Sequence, residues 1–524
     1  MKYDLILAGG TVVDGTRAEP YQANVCIKDG KIAAITKETA EAAEIVDVTG
    51  LAVTPGFIDL HTHSDQVPFT NHVVESKVAQ GVTMELVGNC GSSILPALPG
   101  RWEDMVEYVR QKKGVLTEPI ASVADYAKQA EAKKNMSINY GVLVGHSALR
   151  ISVMGFVNRD PDAQEMEELK ALLDRELSRG AFGMSLGLIY PPSAFSAKAE
   201  LVELAKVIAK HDGILSIHMR NEGPRIFEAV DEVISIAEES GVHVQISHLK
   251  LMGKPQWGKS PELVKRIEDA QARGVNITCD QYPFLASSTS MTALVPHWAH
   301  EGGVKDMLPR VEKREGNICE AIDKEMDNRG GPQAVLVVST GGRHPEWEGK
   351  FVSELSEEFG LDPVETVRKV LLESAGSVNC IYFSMNKEDM LRIMKRTYVS
   401  VGSDGSSLSY DRNVTKTIPH PRNFATFPQF FQTVREEKLL PIQDAVYKMT
   451  GLPASIIGLQ DRGVLQEGKV ADIAVFDPQT FASQSTFLES RERPVGMHHV
   501  IVSGKFALRD GVLTENREGK VLLK

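Results

Sequence analysis

The chain of 524 residues is long enough for three or four average domains, although a single α/β barrel can take up roughly 250 of them. Its composition, 42% hydrophobic and 24% charged, is that of a globular protein and excludes disordered, collagen-like and coiled-coil chains. The 70 acidic side chains outnumber the 58 basic ones and give a formal charge of −12, which argues against nucleic acid and anionic membranes as partners.

The start of the sequence and its cysteines predict a cytoplasmic protein. Met1–Asp4 carries an acidic residue where a signal peptide needs basic residues followed by an apolar run, and no stretch approaches the roughly 18 apolar residues of a membrane span. The 5 cysteines are widely spaced and form no CxxC pair, so we expect no disulfide framework.

Both ends of the chain show the pattern of short β-strands. Runs such as Ala23–Ile27 near the start and Val470–Phe476 near the end are separated by glycine-containing turns, which is typical of antiparallel hairpins. Because strands far apart in sequence can share one sheet, we predict a single small β domain. It comprises residues 1–56 and 415–524, with 415–460 as a partly helical linker.

Between these ends, short apolar runs alternate with amphipathic helices. Met166–Arg179, for example, places leucines at helical spacing and ends before Gly180. The eight apolar runs are 57–60, 82–87, 139–144, 183–188, 214–217, 242–246, 275–279 and 398–401. Eight parallel strands with helical crossovers predict an α/β fold, a TIM-like (β/α)8 barrel over residues 57–414.

The gap between the seventh and eighth runs is too long for one crossover. It contains two more strand-like runs, Val335–Ser339 and Asn379–Phe383. We predict an inserted segment at about residues 285–345 that covers the barrel mouth and shapes the pocket below it, with His297 and Trp298 among its polar and aromatic side chains.

The first apolar run leads into the motif Asp59-Leu60-His61-Thr62-His63. Side chains alternate along a strand, so His61 and His63 should lie on the same face. Two neutral imidazoles at the carboxyl end of a strand suit a divalent transition metal. Taken alone, the pair is equally compatible with histidines that bind nothing.

Four further residues able to bind a metal follow the ends of other predicted strands: Cys90, His218, His248 and Asp404. In a barrel all strand ends meet at one face, so these residues should become neighbours of the histidine pair. Packing would explain any one of them, but it does not readily place such residues at five strand ends. We therefore predict a metal site at the carboxyl-terminal face of the barrel.

The motifs at these strand ends resemble those of the amidohydrolase superfamily and, within it, the D-aminoacylase (N-acyl-D-amino-acid deacylase) group. The matching stretches are Pro55–His63, Val87–Gly91, Val144–Ser147, Gly187–Pro192, Ile246–His248, Asp280–Pro283, Gly402–Gly405, Pro421–Phe427, Met449–Ala454 and Ala471–Ile473. They extend over nearly the whole chain. The resemblance implies a barrel with an inserted segment and a β domain formed by both chain ends, in agreement with the division above.

The resemblance also implies a zinc centre. Many superfamily members bridge two metals with a carboxylated lysine on the fourth strand, but Gly183–Leu188 has no lysine, and in the group resembled a cysteine on the second strand, here Cys90, replaces it. A thiolate binds zinc strongly, so one tight site is implied at Cys90, His218 and His248. A second, weaker site would use His61, His63 and Asp404; whether one metal or two act stays open.

The activity implied is hydrolysis of the amide bond of N-acyl-D-amino acids to a carboxylate and a free D-amino acid. A zinc-activated water would attack the amide, and Asp404 would act as general base and then as general acid for the leaving nitrogen. The group's pattern assigns the substrate carboxylate to Lys250 and Tyr282, and Tyr190 should line the same pocket. The region around Pro296 lacks the arginine that members with acidic substrates carry there, so we predict a neutral or apolar D-amino acid.

Two other interpretations stay open at this stage. A cyclic amidase of the dihydroorotase or hydantoinase kind shares the histidine pair and the aspartate on the last strand, although the missing lysine and the presence of Cys90 argue against it. A non-catalytic relative would keep the metal ligands but catalyse no reaction. In each case we expect a small-molecule ligand and no nucleic acid or membrane partner, while the oligomeric state does not follow from the sequence.

Overall fold

The computed structural model describes residues 2–38, 40–70, 75–111 and 120–524. Within these ranges the strands form a nine-stranded sheet, an eight-stranded sheet and a four-stranded sheet. The eight-stranded sheet is parallel throughout and nearly closes into a barrel, so the barrel predicted from the eight apolar runs is confirmed.

The chain begins in the nine-stranded sheet. Its first five strands are β1 (Tyr3–Val12), β2 (Tyr21–Lys28), β3 (Lys31–Thr36), β4 (Ala42–Asp47) and β5 (Ala52–Pro55). β1 pairs antiparallel with β2 and parallel with β4 and β5. Leu5 and Leu7, two positions apart on β1, lie in a hydrophobic core that belongs to this sheet, as the alternation of strand side chains requires.

Seven barrel strands follow, with helices between most of them. The strands are β6 (Phe57–Asp59), β7 (Val82–Val87), β8 (Asn139–Gly145), β9 (Gly183–Gly187), β10 (Ile214–His218), β11 (His243–Ile246) and β12 (Ile277–Gln281). The helices are α1 (Trp102–Gln111), α2 (Val123–Lys133), α3 (His146–Met154), α4 (Ala163–Ser178), α5 (Lys198–Lys210), α6 (Ile226–Ser240) and α7 (Ser260–Ala272). Because both faces of the strands are covered, nearly all of their residues are buried.

Helix α4 shows how the local sequence sets the limits of an element. Asp162 accepts hydrogen bonds from the backbone N–H groups of Gln164 and Glu165, and the Glu165 carboxylate accepts one from the backbone of Asp162. This capping box satisfies N–H groups that the first turn of a helix leaves unpaired. The leucines between Leu169 and Leu177 are buried, and Gly180, with φ of 100°, begins the turn into the next strand.

The inserted segment has its own sheet and its own core. Its elements are β13 (Ser287–Ser290), α8 (Val304–Lys313), α9 (Ile318–Asn328), β14 (Val335–Ser339), β15 (Lys350–Phe351), α10 (Val352–Phe359), α11 (Pro363–Glu373) and β16 (Asn379–Tyr382). β16 lies between β13 and β14. The insertion therefore extends to Tyr382, beyond the end near residue 345 that we predicted, because the pairing of β13 with β16 joins strands that no local pattern connects.

The barrel is completed after the insertion. Its last helix and strand are α12 (Lys387–Met394) and β17 (Val399–Val401). β17 pairs with β12. On its other side the seam to β6 is closed by residues that follow the two strands: the backbone N–H of Asp404 donates to the carbonyl of His61 at 2.8 Å, and that of His63 donates to the carbonyl of Gly405 at 2.8 Å.

The chain ends with three helices and four strands. They are α13 (Arg422–Glu436), α14 (Ile442–Met449), α15 (Gly451–Ile457), β18 (Ile473–Phe476), β19 (Met497–Val502), β20 (Lys505–Arg509) and β21 (Val512–Leu513). β18 pairs with β5, so both chain ends share one sheet. All three helices pack on the barrel strand β17, so the stretch 415–460, which we predicted as a linker of the β domain, belongs to the helical layer of the barrel. None of the described helices has the length and apolarity needed to cross a membrane.

Candidate active site

Six predicted metal ligands meet where the barrel strands end. They are His61, His63, Cys90, His218, His248 and Asp404. Their ligand atoms form two groups that share the sulfur of Cys90, and within each group all atoms lie within 4.8 Å of one another. The barrel thus brings side chains from five strand ends to one place.

Three of these residues have a left-handed backbone. The angle φ is 54° at Cys90, 36° at His248 and 50° at Asp404. Such a conformation costs a residue with a side chain roughly 1–3 kcal/mol and persists only where its surroundings hold it. Here the backbone N–H of His248 donates to Oδ1 of Asp280 at 2.7 Å, and the N–H of Asp404 is held in the barrel seam. The backbone strain therefore lies in the turns that direct these three side chains towards the barrel mouth.

The spacing of Cys90, His218 and His248 fits a zinc ion. The sulfur of Cys90 lies 3.6 Å from Nδ1 of His218 and 3.7 Å from Nε2 of His248. In tetrahedral zinc sites, Zn–S bonds of about 2.3 Å and Zn–N bonds of about 2.0–2.1 Å place sulfur and nitrogen about 3.6 Å apart. Both the donor types and their distances therefore match structural requirements for zinc.

The charge state of Cys90 also suits a metal. Burial alone raises the pKa of the Cys90 thiol, but the imidazole of His61, with Nε2 3.2 Å from the sulfur, and hydrogen bonds with His218 and His248 hold this pKa well below its ordinary value. The side chain is therefore a thiolate, which is the form that binds zinc.

His61, His63 and Asp404 form the other side of the centre. Nε2 of His63 lies 2.9 Å from Oδ1 of Asp404, and Nε2 of His61 lies 3.4 Å from the same oxygen. Burial raises the pKa of Asp404, but the guanidinium of Arg422, 2.7 Å from Oδ2, and the neighbouring histidines hold that pKa well below its usual range. Asp404 is an ionised carboxylate that can bind a metal or accept a proton.

Two buried carboxylates that the sequence did not single out orient the histidines. Oδ1 of Asp280 lies 3.1 Å from Nδ1 of His61, and Oε1 of Glu222 lies 2.9 Å from Nδ1 of His248, which the ammonium of Lys250 also contacts at 2.7 Å. A carboxylate on one ring nitrogen fixes the tautomer that leaves the other nitrogen free for a metal. Asp280 stands at a strand end and could have been found by the rule that found the ligands, whereas no sequence pattern marks Glu222 in the loop after β10.

A cavity of about 470 Å³ opens beside the candidate ligands and is lined in part by His63, Cys90 and Asp404. Tyr190 lines it as predicted, and its hydroxyl lies 2.9 Å from Oγ1 of Thr289. Thr289 belongs to β13, so the insertion forms one wall of the cavity. His297 and Trp298, which we predicted for the lid, are not among the residues that line it.

Lys250 and Tyr282, the other predicted substrate ligands, are buried beside His248 and do not line this cavity. The ammonium group of Lys250 donates to Oε1 of Glu222 at 2.5 Å and to the carbonyl of His248 at 2.9 Å. The hydroxyl of Tyr282 is buried and has no hydrogen-bond partner among the described residues. Lys250 therefore supports the histidine loop, and Tyr282 offers an unused donor.

Arg422, at the start of α13, is a cation of the cavity wall that the sequence interpretation missed. One of its terminal nitrogens, Nη2, donates to the carbonyl of Ser288 at 3.0 Å. The other, Nη1, lies 2.7 Å from Asp404, but its N–H groups make no hydrogen bond in the described part of the chain. Arg422 lies in the matching stretch Pro421–Phe427, but only the fold shows that this stretch reaches the site.

The end of β9, the fourth barrel strand, has no room for a side chain at Gly187. A Cβ atom added to Gly187 would lie 2.1 Å from the carbonyl oxygen of Cys90. The turn that carries Cys90 therefore packs directly against β9, and this part of the site is filled by backbone and by the cysteine.

The barrel, the thiolate–imidazole donor set and the ionised carboxylate beside it define a metal-dependent hydrolase. The chain belongs to the amidohydrolase family, whose sequence model matches residues 44–289 and 403–507. The unmatched stretch between these two blocks contains most of the insertion.

Three relatives are similar to this chain over its full length. The chain is 34% identical to a D-aminoacylase of Alcaligenes xylosoxydans xylosoxydans, over 100% of this chain and 98% of the relative. The crystal structure of an N-acyl-D-glutamate deacylase from Bordetella bronchiseptica, complexed with zinc and a phosphonate mimic of the tetrahedral intermediate, has a TM-score of 0.84 at 31% identity and covers 100% of both chains. A D-aminoacylase structure described as showing one-metal activation and second-metal attenuation has a TM-score of 0.82 at 32% identity, also over 100% of both chains.

Proposed function

We propose that this protein hydrolyses the amide bond of N-acyl-D-amino acids, with zinc held by Cys90, His218 and His248. The observation that carries the proposal is the distance of the Cys90 sulfur from the two imidazole nitrogens, which fits a zinc ion, beside the ionised carboxylate of Asp404. Relatives that act as D-aminoacylase and N-acyl-D-glutamate deacylase support the choice of substrate.

The zinc site supplies the electrophilic part of the chemistry. A bound zinc polarises a carbonyl oxygen and lowers the pKa of water from 15.7 to about 7. The second group, His61, His63 and Asp404, would hold a further ion more weakly, because it lacks a thiolate of its own and shares that of Cys90. The relative with one-metal activation supports a single activating ion.

Asp404 moves the proton. It accepts a proton from the attacking water and later delivers it to the nitrogen that leaves, a role that contributes typically about 10²- to 10⁴-fold to rate. Arg422 keeps the carboxylate of Asp404 ionised before the reaction, and His63 fixes the position of its Oδ1.

Two donors, the hydroxyl of Tyr282 and the guanidinium of Arg422, bind the α-carboxylate of the substrate. The ring of Tyr282 lies between two cations, with Nζ of Lys250 5.7 Å and Cζ of Arg422 5.5 Å from its centroid. The Tyr282 hydroxyl is buried without a hydrogen-bond partner in the described structure, and Nη1 of Arg422, ion-paired with Asp404, makes no hydrogen bond there either. A carboxylate is the group that satisfies two such donors beside a positive charge.

The cyclic-amidase alternative is disfavoured by the same geometry. Its lysine on the fourth strand has no counterpart in β9 (Gly183–Gly187), where the backbone of Cys90 packs instead. Release of product from hydantoins, with none from linear N-acyl-D-amino acids, would reverse this preference.

A matched panel of N-acetyl-D- and N-acetyl-L-amino acids, scored for free amine with zinc-loaded protein, tests the proposal. We expect release from the D series only. Faster release from the L series would overturn the substrate class, and no release from either series would support a non-catalytic relative.

Substitution of Asp404 should block the proton transfer. Asp404→Asn should lower kcat by at least about 10²-fold because the amide cannot take up the proton, while metal analysis finds the zinc of the tight site still bound. Asp411→Asn, in the exposed loop that follows, is the matched control and should leave kcat unchanged. Retained activity in Asp404→Asn would remove it from the proton path.

A further inference from the structure

A second cavity, of about 550 Å³, lies between the loop after β10 and helix α9 of the insertion. Four cationic side chains line it: Arg220, Arg225, Lys324 and Arg329. The lining contains one carboxylate, that of Glu325. A cavity of this size is large enough for a small ligand, and its charge is positive in a chain whose formal charge is −12.

Two of the cations are held firmly in place. Arg220 donates to the carboxylate of Glu232 at 3.0 Å and to the carbonyl of Ala194 at 3.1 Å. Arg329 is buried, pairs with Glu325 at 2.9 Å and lies 4.7 Å above the ring of Tyr382. These two residues form a fixed wall of the cavity, and each is paired with a carboxylate of its own.

The other two cations, Arg225 and Lys324, have no anion of their own. Both are exposed, and in the described part of the chain neither side chain makes a hydrogen bond or an ion pair. Unpaired like charges gathered around a concave surface repel one another and concentrate anions from solution. The arrangement is therefore more favourable with an anion in the cavity than without one.

The cavity is lined by two residues that directly precede residues of the reaction centre. Ile189 and Asn221 line it, and each is followed directly by a residue of the site. Tyr190 lines the reaction cavity, and Glu222 contacts His248. The cationic cavity and the site are thus built in part from the same two loops, those that follow β9 and β10.

We propose that this cavity binds a carboxylate group. Its source is either the acidic side chain of the substrate, which rests on the function proposed above, or a free carboxylate ion. The first source implies a preference for acidic D-amino acids, opposite to the neutral preference that the sequence around Pro296 suggested. Pro296 and His297 also line the cavity, but the unpaired cations come from the loop after β10 and from α9.

The test compares N-acetyl-D-glutamate with N-acetyl-D-glutamine, which has the same shape without the charge. The double variant Arg225→Gln/Lys324→Gln removes the two unpaired charges, and Lys305→Gln, an exposed residue on α8 outside the cavity, is the control. We expect zinc-loaded wild-type protein to prefer the glutamate by about 10-fold or more in kcat/KM, and the double variant to lose about 10-fold of that preference with the glutamine rate unchanged.

Thermal denaturation with added glutarate separates the two sources. If the glutamate preference is absent but glutarate raises the Tm of the wild type saturably and not that of the double variant, the cavity takes a free carboxylate. If neither the preference nor the glutarate shift depends on the two charges, the proposal is overturned. If no N-acyl-D-amino acid is hydrolysed at all, the proposed function fails, and the glutarate experiment still decides the cavity.

Discussion

Glu222 is the residue that connects the most parts of the site. Its carboxylate lies 2.9 Å from Nδ1 of His248, 3.6 Å from Nε2 of His218 and 2.5 Å from the ammonium of Lys250. Burial raises the pKa of Glu222, but Lys250 and the two histidines lower it well below its ordinary value, so the group is ionised. One carboxylate therefore places a negative charge beside two candidate zinc ligands and neutralises a buried lysine.

We predict that Glu222→Gln weakens zinc binding by about 10- to 100-fold, since loss of a carboxylate behind a ligating histidine typically has this effect. Glutamine keeps the shape of the side chain but not the negative charge beside His248, His218 and Lys250. Titration of the apo protein with zinc against a competing chelator measures the change. Glu228→Gln, exposed on α6, should bind zinc as the wild type does, and equal affinities of the two variants would contradict the role.

At the scale of elements, a buried polar network joins the first and last barrel strands. The ammonium of Lys77 lies 2.7 Å from Oδ2 of Asp59 and 2.5 Å from Oγ of Ser403. Asp59 ends β6, and Ser403 directly precedes Asp404. The network thus fixes the seam of the barrel at the point where the candidate base enters the site.

Glu85 on β7 extends this network, and its pKa is shifted towards neutral pH. The hydroxyl groups of Ser64 and Ser407 donate to its two oxygens at 2.8 and 3.0 Å. Burial raises its pKa to about 7; the charge of Lys77 opposes the rise, and that of Asp59 adds to it. Between its ordinary pKa of 4.5 and about 7, the carboxyl is protonated in the folded state and ionised in the unfolded state.

The sign of the pH effect follows from this difference. The unfolded chain binds fewer protons than the folded one in that window, so the contribution of Glu85 to stability falls as pH rises from about 4.5 to 7. We predict that Tm measured across this range declines more steeply in the wild type than in Glu85→Gln. Glu131→Gln, exposed on α2, should follow the wild-type curve. Parallel curves for the wild type and Glu85→Gln would contradict the prediction.

At the scale of the whole molecule, the site lies where the three parts of the chain meet the barrel mouth. The barrel supplies the ligands, and the insertion supplies Thr289 and the wall behind it. Arg422 comes from α13, which follows the last barrel strand. Zinc bound at Cys90 therefore links strand ends from opposite sides of the barrel and should stabilise the folded chain as a unit.

We predict that zinc raises the Tm of the apo protein. At a free zinc concentration 100 times its Kd, binding to the folded state alone adds about 2.7 kcal/mol, which corresponds to a rise of about 2–3 °C at an unfolding entropy of about 2.1 cal/mol/K per residue. Cys90→Ser should lose most of this shift. Cys319→Ser, a half-buried cysteine on α9, should keep it. An equal shift in both variants would place the stabilising metal elsewhere.

The sequence determined by itself the barrel, its eight strands and the residues at their ends. These features follow from local patterns: hydrophobic residues with a period of two or 3.6, helix caps such as Asp162, and metal-binding residues directly after apolar runs. Because all strand ends of a parallel barrel meet at one face, the six ligands could be predicted as neighbours without any knowledge of distances.

Only the tertiary structure decided which groups act on those ligands. Glu222, Arg422 and the pairing of β13 with β16 depend on contacts between segments far apart in the chain, and no period or spacing encodes them. The same holds for the cationic cavity, because Arg225 and Lys324 are ordinary exposed residues in the sequence and become a potential binding site only when the insertion folds back onto the loop after β10. Local hydrophobic patterns select the fold. The electrostatic environment of a site depends on charges that are far apart in the chain, and these charges become neighbours only when the chain has packed.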